Sequence, residues 1–272
     1  MTSKEDLKLN IRGVNRMRTK IDFGLTVNDY SLFRAGYPDE LYKRLKRFDV
    51  GIEGQSILDL GTGTGYLARK FAEQGAQVTG VDISDELINA AKKLDIEKGL
   101  KINYLNARAE ELPFNPSTFD IVTAGQCWHW FQGEKVMNEI RRVLKKNGKL
   151  VIVHLDWLPF KDNIVMKTEE LILSYNPNWT GAGGTGVYPD WLTQVANGGF
   201  KDIETFTFDL DITYSQEAWR GRIRASAGVG ASLDKEKVDA FDNDLKILLE
   251  LNYRESIDIP HRVFCLVCSY PQ

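Results

Sequence analysis

The sequence predicts an α/β protein: a mostly parallel sheet with helices on both faces. Three observations predict it. Between residues 55 and 155, short apolar runs alternate with segments of helical spacing. The first run passes directly into a turn holding Gly61, Gly63 and Gly65. Two long strand candidates in the C-terminal half then complete a seven-stranded sheet.

The elements follow in order. Ser56-Ile57-Leu58-Asp59-Leu60 is the first strand, and residues 66–74 have helical spacing. Residues 76–81 form the next strand. Ser84 is placed to cap a helix whose buried face is Leu87, Ile88, Ala91 and Leu94. Strands at 102–105 and 119–124 precede a helix over 136–144, whose end is marked by Lys145, Lys146, Asn147 and Gly148. A fifth strand covers 150–155.

Beyond residue 156 the rhythm changes. Residues 160–186 hold a short helical piece, Asn176-Pro177 and a GAGGTG loop. No Gly-Lys-Ser/Thr follows that loop, so it reads as a connector, not a phosphate cradle. A helix over 189–198 ends at Asn197-Gly198-Gly199, and strands follow at 202–213 and 261–270. Between those strands lie two helices, one capped at Ser215 and one opening near Asp234. The expected organisation is a helical arm or lid over 1–45, a core over 46–155, and the remaining strands over 156–272. Cap insertions at about 160–186 and 214–258 belong to the same domain.

With 43% hydrophobic residues the chain has enough apolar side chains for a sizeable core. A net charge of −3 provides no general attraction to phosphate backbones, which argues against a nucleic-acid partner. The first twenty residues lean basic, but Glu5 and Asp6 interrupt them and no apolar stretch follows, so no secretory signal is read. No apolar run approaches a membrane span. Cys127, Cys265 and Cys268 are odd in number, and the Cys-x-x-Cys pair lies inside an apolar run. Buried small side chains in a reducing compartment, the cytoplasm by default, are the expectation.

Leu58-Asp59-Leu60-Gly61-Thr62-Gly63-Thr64-Gly65-Tyr66-Leu67 carries the strongest chemical signal. Glycines permit positive φ and close approach of a ligand, and the following helix offers free N–H groups. A dinucleotide turn wants G-x-G-x-x-G, but here the spacing is G-x-G-x-G and position 66 is tyrosine. Asp82 ends the second strand, where a carboxylate holds ribose hydroxyls. A ribose clamp without pyrophosphate recognition points to a nucleoside carrying an amino acid.

At these residues the chain resembles the class I S-adenosylmethionine-dependent methyltransferases, which implies a Rossmann-like fold. Ala109-Glu110-Glu111-Leu112-Pro113-Phe114 is similar to the family's adenine-side segment, Phe119-Asp120-Ile121-Val122 to its fourth strand, and Arg142 to Gly148 to its following turn. Asn28 to Pro38 resembles the arm of the subgroup that includes trans-aconitate methyltransferases. Arg108 departs from the family's acidic residue near adenine. The resemblance implies S-adenosyl-L-methionine as cofactor, with Gly61, Thr62, Gly63 and Gly65 along its methionine part and Asp82 on its ribose. Asp59 organises the turn or holds the amino group, and Ile83, Ala109 and Glu110 lie near the base. The resemblance also implies that Tyr30 and Arg34 close over the cofactor from the arm, the alternative being an ordinary helix and turn packed on the sheet.

The stretch Ala124-Gly125-Gln126-Cys127-Trp128-His129-Trp130-Phe131 follows the fourth strand, at the carboxyl edge where such sheets bind ligands. The resemblance puts Gln126, Trp128 and His129 beside the cofactor, while Trp130 and Phe131 are expected to bury at the next helix. Only Cys127 and His129 lie together, so no metal site is expected. His129 is the candidate catalytic base, weighed against a plain pocket wall. Arg220, Arg222 and Arg224 are candidate anchors for an anionic acceptor; helical spacing puts Arg220 and Arg224 on one face and Arg222 elsewhere. The expected activity is methyl transfer to a small molecule, a carboxylic acid being the candidate. A tRNA or protein methyltransferase, and a regulator that binds the cofactor without turnover, are the alternatives.

Overall fold

The computed structural model describes Asp29, Phe33 and residues 35–271. Its elements run α1 (Asp39–Leu45), β1 (Ser56–Leu60), α2 (Tyr66–Glu73), β2 (Gln77–Asp82), α3 (Asp85–Lys98), β3 (Asn103–Asn106) and β4 (Phe119–Gly125). There follow α4 (Gly133–Val143), β5 (Leu144–Trp157), α5 (Ile164–Tyr175), α6 (Pro189–Asn197) and β6 (Lys201–Ser215). The chain closes with α7 (Gln216–Arg224), α8 (Lys235–Asn252) and β7 (Ser256–Ser269).

One seven-stranded sheet takes the order β3-β2-β1-β4-β5-β7-β6. Pairs from β3 through to β5 are parallel, and β7 runs antiparallel to both its neighbours. The mostly parallel sheet read from the sequence is what forms.

Alternation along each strand explains the layers. Side chains at successive positions leave opposite faces, so Ile57 and Leu58 belong to different cores. Leu58, Leu60, Val122 and Ala124 pack with Val136, Met137 and Ile140 of α4 and Trp191 and Val195 of α6. Ile57, Ile121, Val151 and Val153 pack with Leu41 and Leu45 of α1 and Leu67 and Phe71 of α2. Each fully buried Leu, Ile or Phe contributes roughly 1.5–3 kcal/mol, so neither face of the central strands tolerates exposure.

The long β6–β7 hairpin carries a third cluster. Ile257 and Ile259 at its far end meet Ile164, Val165 and Ile172 of α5, Trp219 and Ile223 of α7, and Phe241, Leu245 and Leu249 of α8. These helices belong to the segments expected as cap insertions. Three side-chain caps start where the sequence signals them: Ser84 accepts from Leu87 N–H, Ser215 from Ala218 N–H, and Asp234 from Lys237 N–H.

Two boundaries differ from the sequence reading. Lys145 to Gly148 do not end a helix: α4 stops at Val143 and the chain enters β5 at Leu144. Pairing with β4 jumps from Phe119↔Leu144 to Ile121↔Lys149, so these residues form an excursion within the strand, with Asn147 at φ 57°. The strands β5 and β7 also run longer than their apolar cores. Cys127, Cys265 and Cys268 are free thiols in buried positions, and burial pushes the Cys265 and Cys268 thiols up.

Candidate functional site

Strand order reverses between β1 and β4, and the glycine turn sits at the carboxyl end of β1 beside that point. Gly61, Gly63 and Gly65 adopt φ of 57°, 57° and 81°, the left-handed region that favours glycine. Their duties differ. A methyl group on Gly61 would stand 2.9 Å from Cys127 Cβ, and one on Gly65 would stand 2.5 Å from the Tyr104 hydroxyl. Close packing therefore demands glycine at both positions. Gly63 serves through its N–H, which donates to Asp82 Oδ2 at 2.8 Å.

Asp82, at the end of β2, also accepts from Ser84 N–H at 3.0 Å. Burial pushes its carboxyl up, against the pull of the Ser84, Gly63 and Ile83 N–H groups. Beside it, Ile83 is 68% exposed, a large apolar side chain open at the strand end. Asp59 lies in β1, just ahead of the turn. Its two oxygens accept from Thr62 Oγ1 at 2.7 Å and Thr123 Oγ1 at 2.6 Å. Complete burial pushes its pKa up to about 6, with the two threonine hydroxyls pulling the other way. Asp59, Gly61 and Thr62 line one pocket with Ala35, Tyr37, Tyr66, Gln126 and Leu155.

Gln126 connects this pocket to another. It follows β4 at φ 64°, where a side chain other than glycine is strained. Its N–H donates to Val153 O at 2.9 Å, and its side-chain amide donates to Leu155 O. Those two bonds to β5 hold the conformation. Gln126 and Leu155 also line a second cavity of about 170 Å³. That cavity is bounded by His129 and Trp130, by His154, Asp156 and Trp157 of β5, by Trp179, and by Arg222 and Ser226 from the α7 end.

The sequence-predicted residues divide as follows. His129 is an exposed residue on the rim of the second cavity, in a 3₁₀ turn over Trp128–Trp130. Trp128 and Trp130 exchange their expected places. Trp128 is 4% exposed, packs in the core and donates its indole N–H to Gln194 at 3.0 Å, whereas Trp130 is 40% exposed and lines the cavity. The 3₁₀ turn is the reason: three residues per turn send positions 128 and 130 to different sides. Ala109 is buried in the core, and Glu110 accepts from Gln132 N–H at 2.9 Å, which ties residues 109–110 to the start of α4. Tyr30 and Arg34 lie outside the described residues.

The three arginines separate in the reverse of the expected sense. Arg220 and Arg224 do share a face, and that face is paired. Both bond Asp242 and Glu217, and Arg224 also bonds Asp29 at 2.9 Å. Arg222, the one set apart by spacing, lines the cavity with its guanidinium 4.7 Å above the Trp157 ring. A carboxylate acceptor would therefore meet one of the three guanidinium groups, not two.

The largest omission from the sequence reading is on β5. His154 Nδ1 lies 2.9 Å from Asp156 Oδ1 and 2.9 Å from the Tyr188 hydroxyl, and that hydroxyl donates to Asp156 Oδ2. Burial raises the Asp156 carboxyl, but attraction to His154, hydrogen bonds from His154 and Tyr188, and the more distant His129 outweigh it and hold it below the usual range. Burial and the adjacent Asp156 push the Tyr188 phenol up. The signal was present: His-x-Asp at the carboxyl end of a strand places both side chains on one face. His129 joins the group from the 3₁₀ turn, its ring centroid 5.4 Å from that of His154. Among the described residues no group of three or more His, Cys, Asp or Glu is arranged to hold a metal, and no helix is long and apolar enough to cross a membrane.

Comparison with known proteins gives concordant results. A family model for the methyltransferase domain matches residues 58–152. An uncharacterized methyltransferase of Schizosaccharomyces pombe is 35% identical over 133 residues, 48% of this chain and 51% of that protein. A ubiquinone biosynthesis O-methyltransferase of Coxiella burnetii is 30% identical over 161 residues, 57% of this chain and 68% of that protein. The chain spans about half the length of most of the curated relatives it matches. Among solved structures, a Haemonchus contortus phosphoethanolamine N-methyltransferase in complex with S-adenosyl-L-methionine superposes with a TM-score of 0.55. It is 22% identical, and the match covers 95% of this chain and 59% of that one.

Proposed function

We propose that this chain, which belongs to the class I S-adenosylmethionine-dependent methyltransferases, moves the methyl group of that cofactor to a small molecule seated beside Gln126. One observation carries the reading: Gln126 and Leu155 line both the glycine-turn pocket and the cavity under the cap helices. Two ligands bound there would share Gln126 and Leu155 as a common wall, close enough to meet beside them.

The residues present fit the cofactor. Asp82 at the end of β2 is placed for ribose hydroxyls, and the exposed Ile83 beside it offers an apolar cover for a purine. Asp59, Gly61 and Thr62 flank the amino-acid end. When bound, S-adenosylmethionine supplies a methyl group already activated on a sulfonium. The chain's task is then to align an acceptor in line with the transferred methyl and to exclude water. Trp157 at the end of β5, with Trp179 and the end of α7 from the cap, supplies the second service. Arg222, stacked on Trp157, is the cation on that wall and suits an acceptor bearing a carboxylate.

The test is release of S-adenosylhomocysteine on a panel of small acids, phenols and amines, with S-adenosylmethionine binding measured alongside. Turnover of a small acceptor supports the reading. Binding without turnover on any panel member points to a regulator, and turnover only with RNA or protein redirects the acceptor class.

A further inference from the structure

Two residues that line the second cavity each carry a buried polar atom with no hydrogen-bond partner among the described residues: His154 its Nε2 and Ser226 its Oγ. An atom left buried and unpaired costs roughly 1–3 kcal/mol. Two such atoms on one cavity mark a place where a ligand's polar group belongs. The opposite edge of the His154 ring is fully engaged. Asp156 is a carboxylate and only accepts, so Nδ1 carries the hydrogen and Nε2 holds the lone pair.

We infer that His154 is the base that takes the proton from a hydroxyl group of the acceptor. Asp156 and Tyr188 fix its tautomer and orientation, and Ser226 hydrogen-bonds the same acceptor oxygen. The inference rests on the methyltransferase reading above and names its acceptor atom. As the acceptor oxygen bonds the methyl carbon, the carbon–sulfur bond breaks and its electron pair stays on sulfur. The hydroxyl proton passes to Nε2, and the imidazolium so formed is balanced by Asp156. The groups facing this ring are Asp156 from its own strand, Tyr188 ahead of α6, and His129 from the 3₁₀ turn. Arg222 lines the same cavity from α7. Asp156 is the carboxylate among these groups, 2.9 Å from the ring nitrogen opposite Nε2.

The cavity also limits the acceptor's shape. Trp130, Trp157 and Trp179 provide flat apolar walls, and a volume of about 170 Å³ admits one aromatic ring; a cavity of roughly 150 Å³ is enough for benzene. A hydroxylated aromatic ring is the acceptor class that suits these walls.

The experiment uses 4-nitrophenol, whose absorbance reports its own ionisation without any cofactor. At a pH below the probe's own pKa, the wild type should raise the phenolate signal on binding, and His154→Gln should abolish that rise. Asp156→Asn and Tyr188→Phe should each reduce it, which preserves the test if His154→Gln does not fold. With a phenol acceptor, His154→Gln should lose roughly 10²-fold or more in kcat, while S-adenosylmethionine affinity stays unchanged. An unaltered nitrophenol spectrum with wild-type protein that binds S-adenosylmethionine overturns the base assignment alone. Failure of the wild type to bind S-adenosylmethionine overturns the methyltransferase reading instead.

Discussion

Replacing His261 by Asn should remove a defined part of the protein's acid sensitivity. His261 is 2% exposed on β7, its Nδ1 bonds Ile259 O at 2.8 Å, and its ring stacks on Tyr214. Burial lowers its pKa from 6.5 to about 4, the bond to Ile259 opposes this, and the nearby Arg222 adds to the fall. The unfolded chain binds this proton near pH 6.5, whereas the folded chain binds it only near pH 4. Between those values the unfolded state holds more protons, so stability falls as pH falls. The contribution is fully present above pH 6.5 and lost as the pH drops through about 4. A separation of about two and a half pH units at roughly 1.36 kcal/mol each amounts to about 3 kcal/mol. Urea unfolding of wild type and His261→Asn at several pH values measures it, because carboxylates common to both cancel in the difference. The wild type's stability minus the variant's should shrink by about 3 kcal/mol between neutral pH and pH 4. A difference that stays constant would refute the buried neutral histidine.

Four further outcomes follow from the geometry. Asp59→Asn acts in the opposite sense: a carboxyl raised from 3.8 to about 6 contributes stability below 3.8 that is lost as pH rises through about 6. The Asn variant should therefore gain up to roughly 3 kcal/mol on the wild type as the pH passes 6, read by the same urea curves. Gly61→Ala forces positive φ on alanine and a 2.9 Å approach to Cys127 Cβ, so it should cost at least about 1–2 kcal/mol and weaken S-adenosylmethionine binding by calorimetry. Arg222→Gln should raise KM for a carboxylate-bearing acceptor and leave cofactor affinity intact. Arg224→Gln, which breaks the Asp29, Glu217 and Asp242 pairs, should lower Tm and leave that KM nearly unchanged.

Local chemistry explains which features the sequence made legible. Ser84, Ser215 and Asp234 act within their own turn, so each helix start could be read from a few residues. The glycine turn was legible for the same reason, although Gly61 and Gly65 turned out to answer to Cys127 and Tyr104, which only the tertiary fold brings near. The aromatic run 124–131 shows the limit. Its place at the carboxyl edge of β4 followed from strand order, but the 3₁₀ turn that buries Trp128 and exposes Trp130 leaves no periodic trace. Helical spacing set Arg222 apart from Arg220 and Arg224 without saying which side faced the cavity. That depended on Asp242, eighteen residues further on in α8 from Arg224. His154 and Asp156 were overlooked because their strand reads as an ordinary apolar run. Tyr188, which completes the group, is distant in sequence.

The most direct test of the central claim is calorimetric titration of the full chain with S-adenosylmethionine, repeated with Asp82→Ala and with NAD as competitor. The account predicts one site for S-adenosylmethionine, markedly weakened by loss of the Asp82 carboxylate and indifferent to NAD. No binding of S-adenosylmethionine, with NAD bound at the glycine turn instead, would contradict it.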